Sequence, residues 1–153
     1  MNWNRYVTHL VATLCLALAC VAAQSQEDPR IGELSYLDRQ FMAQQRALLE
    51  DLVARNFGRR FSGVRDNDLE LLQMLLDRQV VRANQTRELQ AMGVVMGDLL
   101  ASEFALKWVV YEDHLGRSRA LRNGDSDIYL FPITMISRRR EVDNRTPVVD
   151  IYR

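Results

Sequence analysis

The chain has 153 residues, 48% of them hydrophobic, and its 20 basic and 20 acidic side chains cancel to a formal net charge of zero. That length suffices for one domain around a single hydrophobic core. The charge balance argues against a dedicated nucleic-acid binder, which carries a basic excess to neutralise phosphates.

Residues 1–23 have the order of a secretory signal peptide. Arg5 precedes the uncharged run Leu10 to Ala23, which closes on the small side chains Val21-Ala22-Ala23 before the polar Gln24. At about 1.5 Å per residue the run reaches roughly 21 Å, short of a hydrocarbon layer of roughly 30 Å, and no second apolar run follows. The expectation is cleavage after Ala23, a periplasmic or secreted product, and no transmembrane span in the mature chain. The competing reading is lipidation, because Ala17-Leu18-Ala19-Cys20 is an imperfect bacterial lipoprotein site with Cys20 as the anchor. Both cysteines, Cys15 and Cys20, fall in the leader, so the mature domain is expected to hold together by packing with no disulfide.

Residues 24–34, with Pro29 and Gly32, read as a mobile lead-in to a single domain over 35–153. Ser35-Tyr36-Leu37-Asp38 is a capping-box pattern with Asp in the third helical position. Leu34, Leu37, Phe41, Leu48, Leu49, Leu52 and Val53 then recur at helical spacing, predicting a helix over 35–57 with Arg39, Gln40, Arg46, Glu50 and Arg55 on its polar face. Asp66-Asn67-Asp68 opens a second helix, with Leu69, Leu72, Leu75, Leu76 and Val80 inward, ending near Val81. A third, over 86–105, is apolar nearly all round and reads as the buried centre of the domain. Gly93 and Gly97 stand one turn apart in it; each costs about 1 kcal/mol relative to Ala, which close approach by another element would offset. The spacing also matches a membrane dimerisation face, but Asp98 to Glu103 is too polar for a lipid span.

After Lys107 the composition changes to that of strands. Trp108 to Tyr111, Arg119 to Arg122 and Ile128 to Phe131 predict a three-stranded antiparallel meander, with turns at Glu112–Gly116 and Asn123–Asp125. Pro132 can start a short last helix with Ile133 and Ile136 inward and Arg138, Arg139 and Arg140 at its C-terminal end. Alternatively, residues 133–136 continue the strand past a proline bulge. The tail, 146–152, docks as a strand or stays loose. The expected fold is α+β: a helical N-terminal half whose buried central helix packs on a small three-stranded meander, then a short C-terminal helix.

Met92-Gly93-Val94-Val95-Met96-Gly97-Asp98, Trp108-Val109-Val110 with Glu112-Asp113 and Gly116-Arg117, Ala120-Leu121-Arg122, and Phe131-Pro132-Ile133-Thr134-Met135-Ile136-Ser137 followed by Arg138-Arg139 occur in that order. In this the chain resembles the bacterial domain-of-unknown-function family 3806 over roughly residues 66–145. Members of that family are often predicted to be exported, so the resemblance agrees with the expected leader; it implies no chemistry. Met96 stands where a Phe often occurs and Arg138 where a Lys is common. Gly93, Gly97, Trp108, Gly116 and Pro132 read as architecture: close approach, turn and packing.

Chemistry has few carriers. His114 is the one histidine beyond the leader, so a Ser-His-Asp site would have to use it in a turn with Ser118 or Ser137 and Asp113 or Asp98, without a nucleophile elbow. No cysteine–histidine spacing suits a metal, no glycine loop suits a phosphate, and no cofactor is implied. Asp98 is either a carboxylate in a low-dielectric cleft or an edge residue salt-bridged to arginine. Glu112 and Asp113 are a carboxylate pair whose ordinary role is a solvated turn. Arg138, Arg139 and Arg140, with Arg117, form a candidate interaction surface. Two function classes follow. The first is a non-catalytic binding or protein-interaction domain of the cell envelope, engaging an envelope protein or a small ligand. The second is a small periplasmic hydrolase, whose candidate groups Asp98, Glu112, Asp113 and His114 would have to converge in a pocket.

Overall fold

The computed structural model describes residues 28–153. The leader expected over residues 1–23, its expected cleavage after Ala23, and Cys20 lie outside the described residues.

Arg30–Glu33 form a strand, β1, instead of a mobile tether, and it pairs antiparallel with β2 (Lys107–Asp113). β2 pairs in turn with β3 (Gly116–Arg122), and β3 with the two-residue β4 (Tyr129–Leu130). The sheet is therefore a four-stranded antiparallel one in sequence order, with the expected meander as three of its strands. β1 has no alternating apolar pattern, and its strand character comes from the ladder that β2 offers.

Helix α1 spans Tyr36–Phe57, and its capping box is complete. The Ser35 side chain accepts from the Asp38 amide at 3.1 Å, and the Asp38 carboxylate accepts from the Ser35 amide at 2.9 Å. Gly58 closes the helix in the left-handed conformation at φ 62°. Its buried row is Asp38, Met42, Gln45, Leu49 and Val53, so the expected apolar face is rotated at its N-terminal end, where Leu37 stands 70% exposed. Two polar residues take the inward positions, and leucine periodicity cannot reveal them.

Helix α2, Arg65–Asp77, ends one turn before the predicted limit, the chain turning at Gln79 with φ 55°; Val81 still reaches the core. Buried Asp68 accepts from the Ser62 and Gly63 amides at 2.8 Å each, fixing the link from α1 onto α2. Helix α3, Thr86–Glu103, is the buried centre, with ten buried residues from Leu89 to Leu100, and it stops just short of Ala105, which has φ 53°.

Pro132 starts a helix, not a continued strand: α4 is Pro132–Glu141, lying along α3. The tail is neither strand nor loose. Val148–Tyr152 form a short helix, α5, docked on α2 by Val148 and Tyr152, with the Val148 amide donating to Gln73 Oε1 at 2.8 Å. One core runs through these layers, joining Leu49 and Val53 of α1, Leu71, Leu72 and Leu75 of α2, the α3 stripe, Leu121, Ile136 and Val148. Among the described residues no helix is long and apolar enough to cross a membrane.

Candidate functional site

Closure of the domain places the first turn of α1 against β3. Arg117 and Arg119 are two residues apart on that strand and so share one face of the sheet. Both reach Asp38, whose side chain is 1% exposed. Arg117 binds it with two nitrogens, at 2.9 and 2.5 Å, and Arg119 Nη2 lies 2.8 Å from Oδ1. The Arg117 hydrogen bonds hold the Asp38 carboxyl well below its usual range against the opposing effect of burial, with Ser35 and Arg119 adding to the depression. Arg119 also stacks its guanidinium 4.3 Å from the Phe41 ring centroid, and its buried Nε has no hydrogen-bond partner among the described residues.

Beside this clamp lies a cleft of about 570 Å³. It is bounded by Phe41, by the end of the β2–β3 hairpin, by Gln90 of α3, and by Phe131, Ile133, Thr134 and Arg138 at the start and first turns of α4. Tyr111 and Phe131 meet edge to face at 5.3 Å on its wall. Because β4 pairs only with Leu121 and Arg122, β3 has no strand partner on that side from Gly116 to Ala120; Gly116 to Ser118 are exposed there, Ala120 is buried, and Gly116 to Arg119 line the cleft. The charged residues of the lining are Arg117 and Arg119, both paired with Asp38, together with Arg138 and Asp113. Asp113 is itself engaged, accepting from the Leu115 amide at 2.8 Å to shape the hairpin turn. Arg138 is exposed and has no ion-pair partner among the described residues.

The sequence candidates divide between places. Asp98 is salt-bridged to Arg46, at 2.5 and 2.8 Å, and accepts from Trp108 Nε1 at 3.0 Å; it borders a separate groove between α1 and α3. Glu112 and His114 are exposed at the hairpin end, outside the cleft lining. Asp98, Glu112, Asp113 and His114 therefore do not converge. The arginine run also splits. Arg138 joins Arg117 at the cleft, Arg139 turns back to donate to the Met135 carbonyl at 2.7 Å, and Arg140 is half-buried away from the cleft lining. Gly93 and Gly97 serve the expected close approach, to the α4 backbone and to the Trp108 ring respectively. The members not foreseen are Asp38, Phe41, Tyr111, Arg119 and Phe131. Only Arg117-Ser118-Arg119, a cation at every second position of a strand, carried a local signal. Among the described residues no group of three or more His, Cys, Asp or Glu is arranged to hold a metal.

Comparison with known proteins bears on the fold. No curated protein matches the chain. A crystal structure from Bacteroides thetaiotaomicron VPI-5482 matches with a TM-score of 0.74 at 14% identity, covering 85% of this chain and 48% of the other. The chain thus spans about half the length of that structure, and at this identity the likeness is one of fold. The model of the family described as Domain of unknown function (DUF3806) matches residues 68–152, reaching past the resemblance read from the motifs to include α5. With more than half of its length matched, the chain belongs to that family.

Proposed function

We propose that this protein is an exported, non-catalytic binding domain of the bacterial cell envelope, and that the cleft beside β3 is its recognition surface. The observation that carries the reading is Arg138, a cation with no carboxylate partner among the described residues, standing with Arg117 and Arg119 around a concavity walled by aromatic rings. Arg46, by contrast, is engaged by Asp98; what sets Arg138 apart is its place in the cleft lining, where an open guanidinium is available to an anionic partner. Among the described residues the groups named for the hydrolase alternative share no pocket: Asp98 borders a separate groove, and of Glu112, Asp113 and His114 only Asp113 lines the cleft.

The test is capture from native extract by the tagged, naturally exported protein, with intact-mass measurement of the mature product. A partner retained by the wild type and by Arg78→Glu, an exposed control outside the cleft, is expected to be lost with Arg138→Glu. Capture indifferent to Arg138, or turnover of model ester or glycoside substrates that disappears in His114→Ala, would overturn the reading. Separately, the mass distinguishes cleavage after Ala23 from a lipid on Cys20.

A further inference from the structure

Resting on the binding reading above, we infer that the cleft receives an extended acidic peptide segment, which adds as a strand to the open edge of β3 and sets its carboxylates against Arg138 and the Arg117–Arg119 pair. Three features meet there. An unpaired sheet edge presents backbone donors and acceptors in a row, and β4 leaves β3 without a strand partner over its exposed stretch Gly116 to Ser118 and at half-buried Arg119. The edge borders a concavity of about 570 Å³, a size that holds a few residues of an extended chain but not a folded surface. Arg117 and Arg119 are already paired with buried Asp38, so the cation left for an incoming carboxylate is exposed Arg138, and the carboxylate in the lining, Asp113, is engaged by the Leu115 amide.

The remaining lining suits the same occupant. Side chains of an extended peptide alternate between two faces, so acidic residues at every second position would follow the cationic side. The intervening apolar residues would then lie toward Phe131, Ile133 and Tyr111.

The probes are a six-residue peptide alternating Asp and Val with blocked ends, its Lys–Val counterpart, the Asp–Val peptide N-methylated at alternate residues, and succinate. The readouts are affinity and amide hydrogen exchange in the full domain. The Asp–Val peptide is expected to bind at least about tenfold more tightly than the other three, to weaken as salt rises, and to slow exchange at amides between Gly116 and Arg119. Arg138→Gln, which alters an exposed side chain, should reduce its affinity about tenfold while leaving the denaturation midpoint unchanged. Equal binding of the N-methylated peptide, unchanged exchange along β3, or succinate binding as tightly as the peptide would overturn the strand-addition proposal. Arg138-dependent capture of a native partner alongside any of these results would leave the broader binding function standing; loss of both dependences would remove both.

Discussion

Gly93 and Ile133 are in backbone contact: a β-carbon on Gly93 would fall 2.6 Å from the Ile133 carbonyl oxygen and nearer still to that of Pro132. Helix α4 can lie along α3 because this position has no side chain. Gly93→Ala should therefore destabilise the domain by about 2 kcal/mol, since overpacking against backbone outweighs the roughly 1 kcal/mol gained in helix propensity. Gly97→Ala meets the Trp108 ring, with Cη2 at 2.7 Å, and a side chain yields more readily. Its cost should be about 1 kcal/mol, because the ring must shift against its bond to Asp98. Urea midpoints of the two variants check the order, and an unchanged or higher midpoint for Gly93→Ala would contradict the packing account.

Asp38 ties the first turn of α1 to a strand 79 residues further along the chain. Its folded pKa lies below the ordinary value of 3.8, chiefly through the Arg117 hydrogen bonds. A depressed carboxylate contributes stability that is complete above its unfolded pKa, near pH 4, and is lost as pH falls toward the folded value. Asp38→Asn keeps an oxygen for the Ser35 amide but removes the charge, and should cost about 2–3 kcal/mol at neutral pH. The gap between wild type and variant should narrow as pH falls below about 4. Urea denaturation at several pH values tests this; a gap independent of pH would mean that the charge is not what holds Arg117 and Arg119.

What was legible in the sequence was what short-range chemistry determines. Ser35 and Asp38 announce their cap because both partners lie within one turn. Pro132 marks a helix start, and two glycines inside an apolar helix imply a close neighbour. The hidden features depend on distant parts of the chain. Arg30–Glu33 is a strand because β2 supplies a ladder, and Asp38 and Gln45 point inward because the hairpin and α3 close over α1. The cleft was half-legible. Arg138 and Arg117 stood out by charge, whereas Phe41, Tyr111 and Phe131 looked like ordinary core residues until closure placed them around those cations.

Tyr152 closes α5 onto α3 by donating its hydroxyl to Glu103 Oε2 at 2.6 Å. Burial, then the Glu103 carboxylate, pushes its phenol above the usual 10, so the neutral form belongs to the folded state. The associated stability is present below pH 10 and is lost as pH rises from there toward the higher folded value. In an alkaline titration followed by phenolate absorbance, Tyr152→Phe should remove one late-ionising tyrosine. The same substitution should lower stability by about 1 kcal/mol at neutral pH, because it keeps the ring and loses one hydrogen bond. An unchanged late phase in Tyr152→Phe would assign that phase to another tyrosine.

Gln45 makes the opposite prediction, a gain from removing polarity. It is 4% exposed on the buried row of α1, and its Oε1 is buried with no hydrogen-bond partner among the described residues. A buried acceptor left unpaired costs about 1–3 kcal/mol, and methionine has nearly the same length with no amide to satisfy. Gln45→Met should therefore stabilise the domain by about 1 kcal/mol, part of the gain being spent on imperfect packing. Gln45→Glu, nearly isosteric but charged, should destabilise it by more than Met stabilises, because a carboxylate at a position 4% exposed must be desolvated. Thermal or urea midpoints of the pair decide the matter. If both substitutions lower stability, the Gln45 amide is serving a partner, and its burial then resembles that of Asp38 in tying α1 to the elements that cover it.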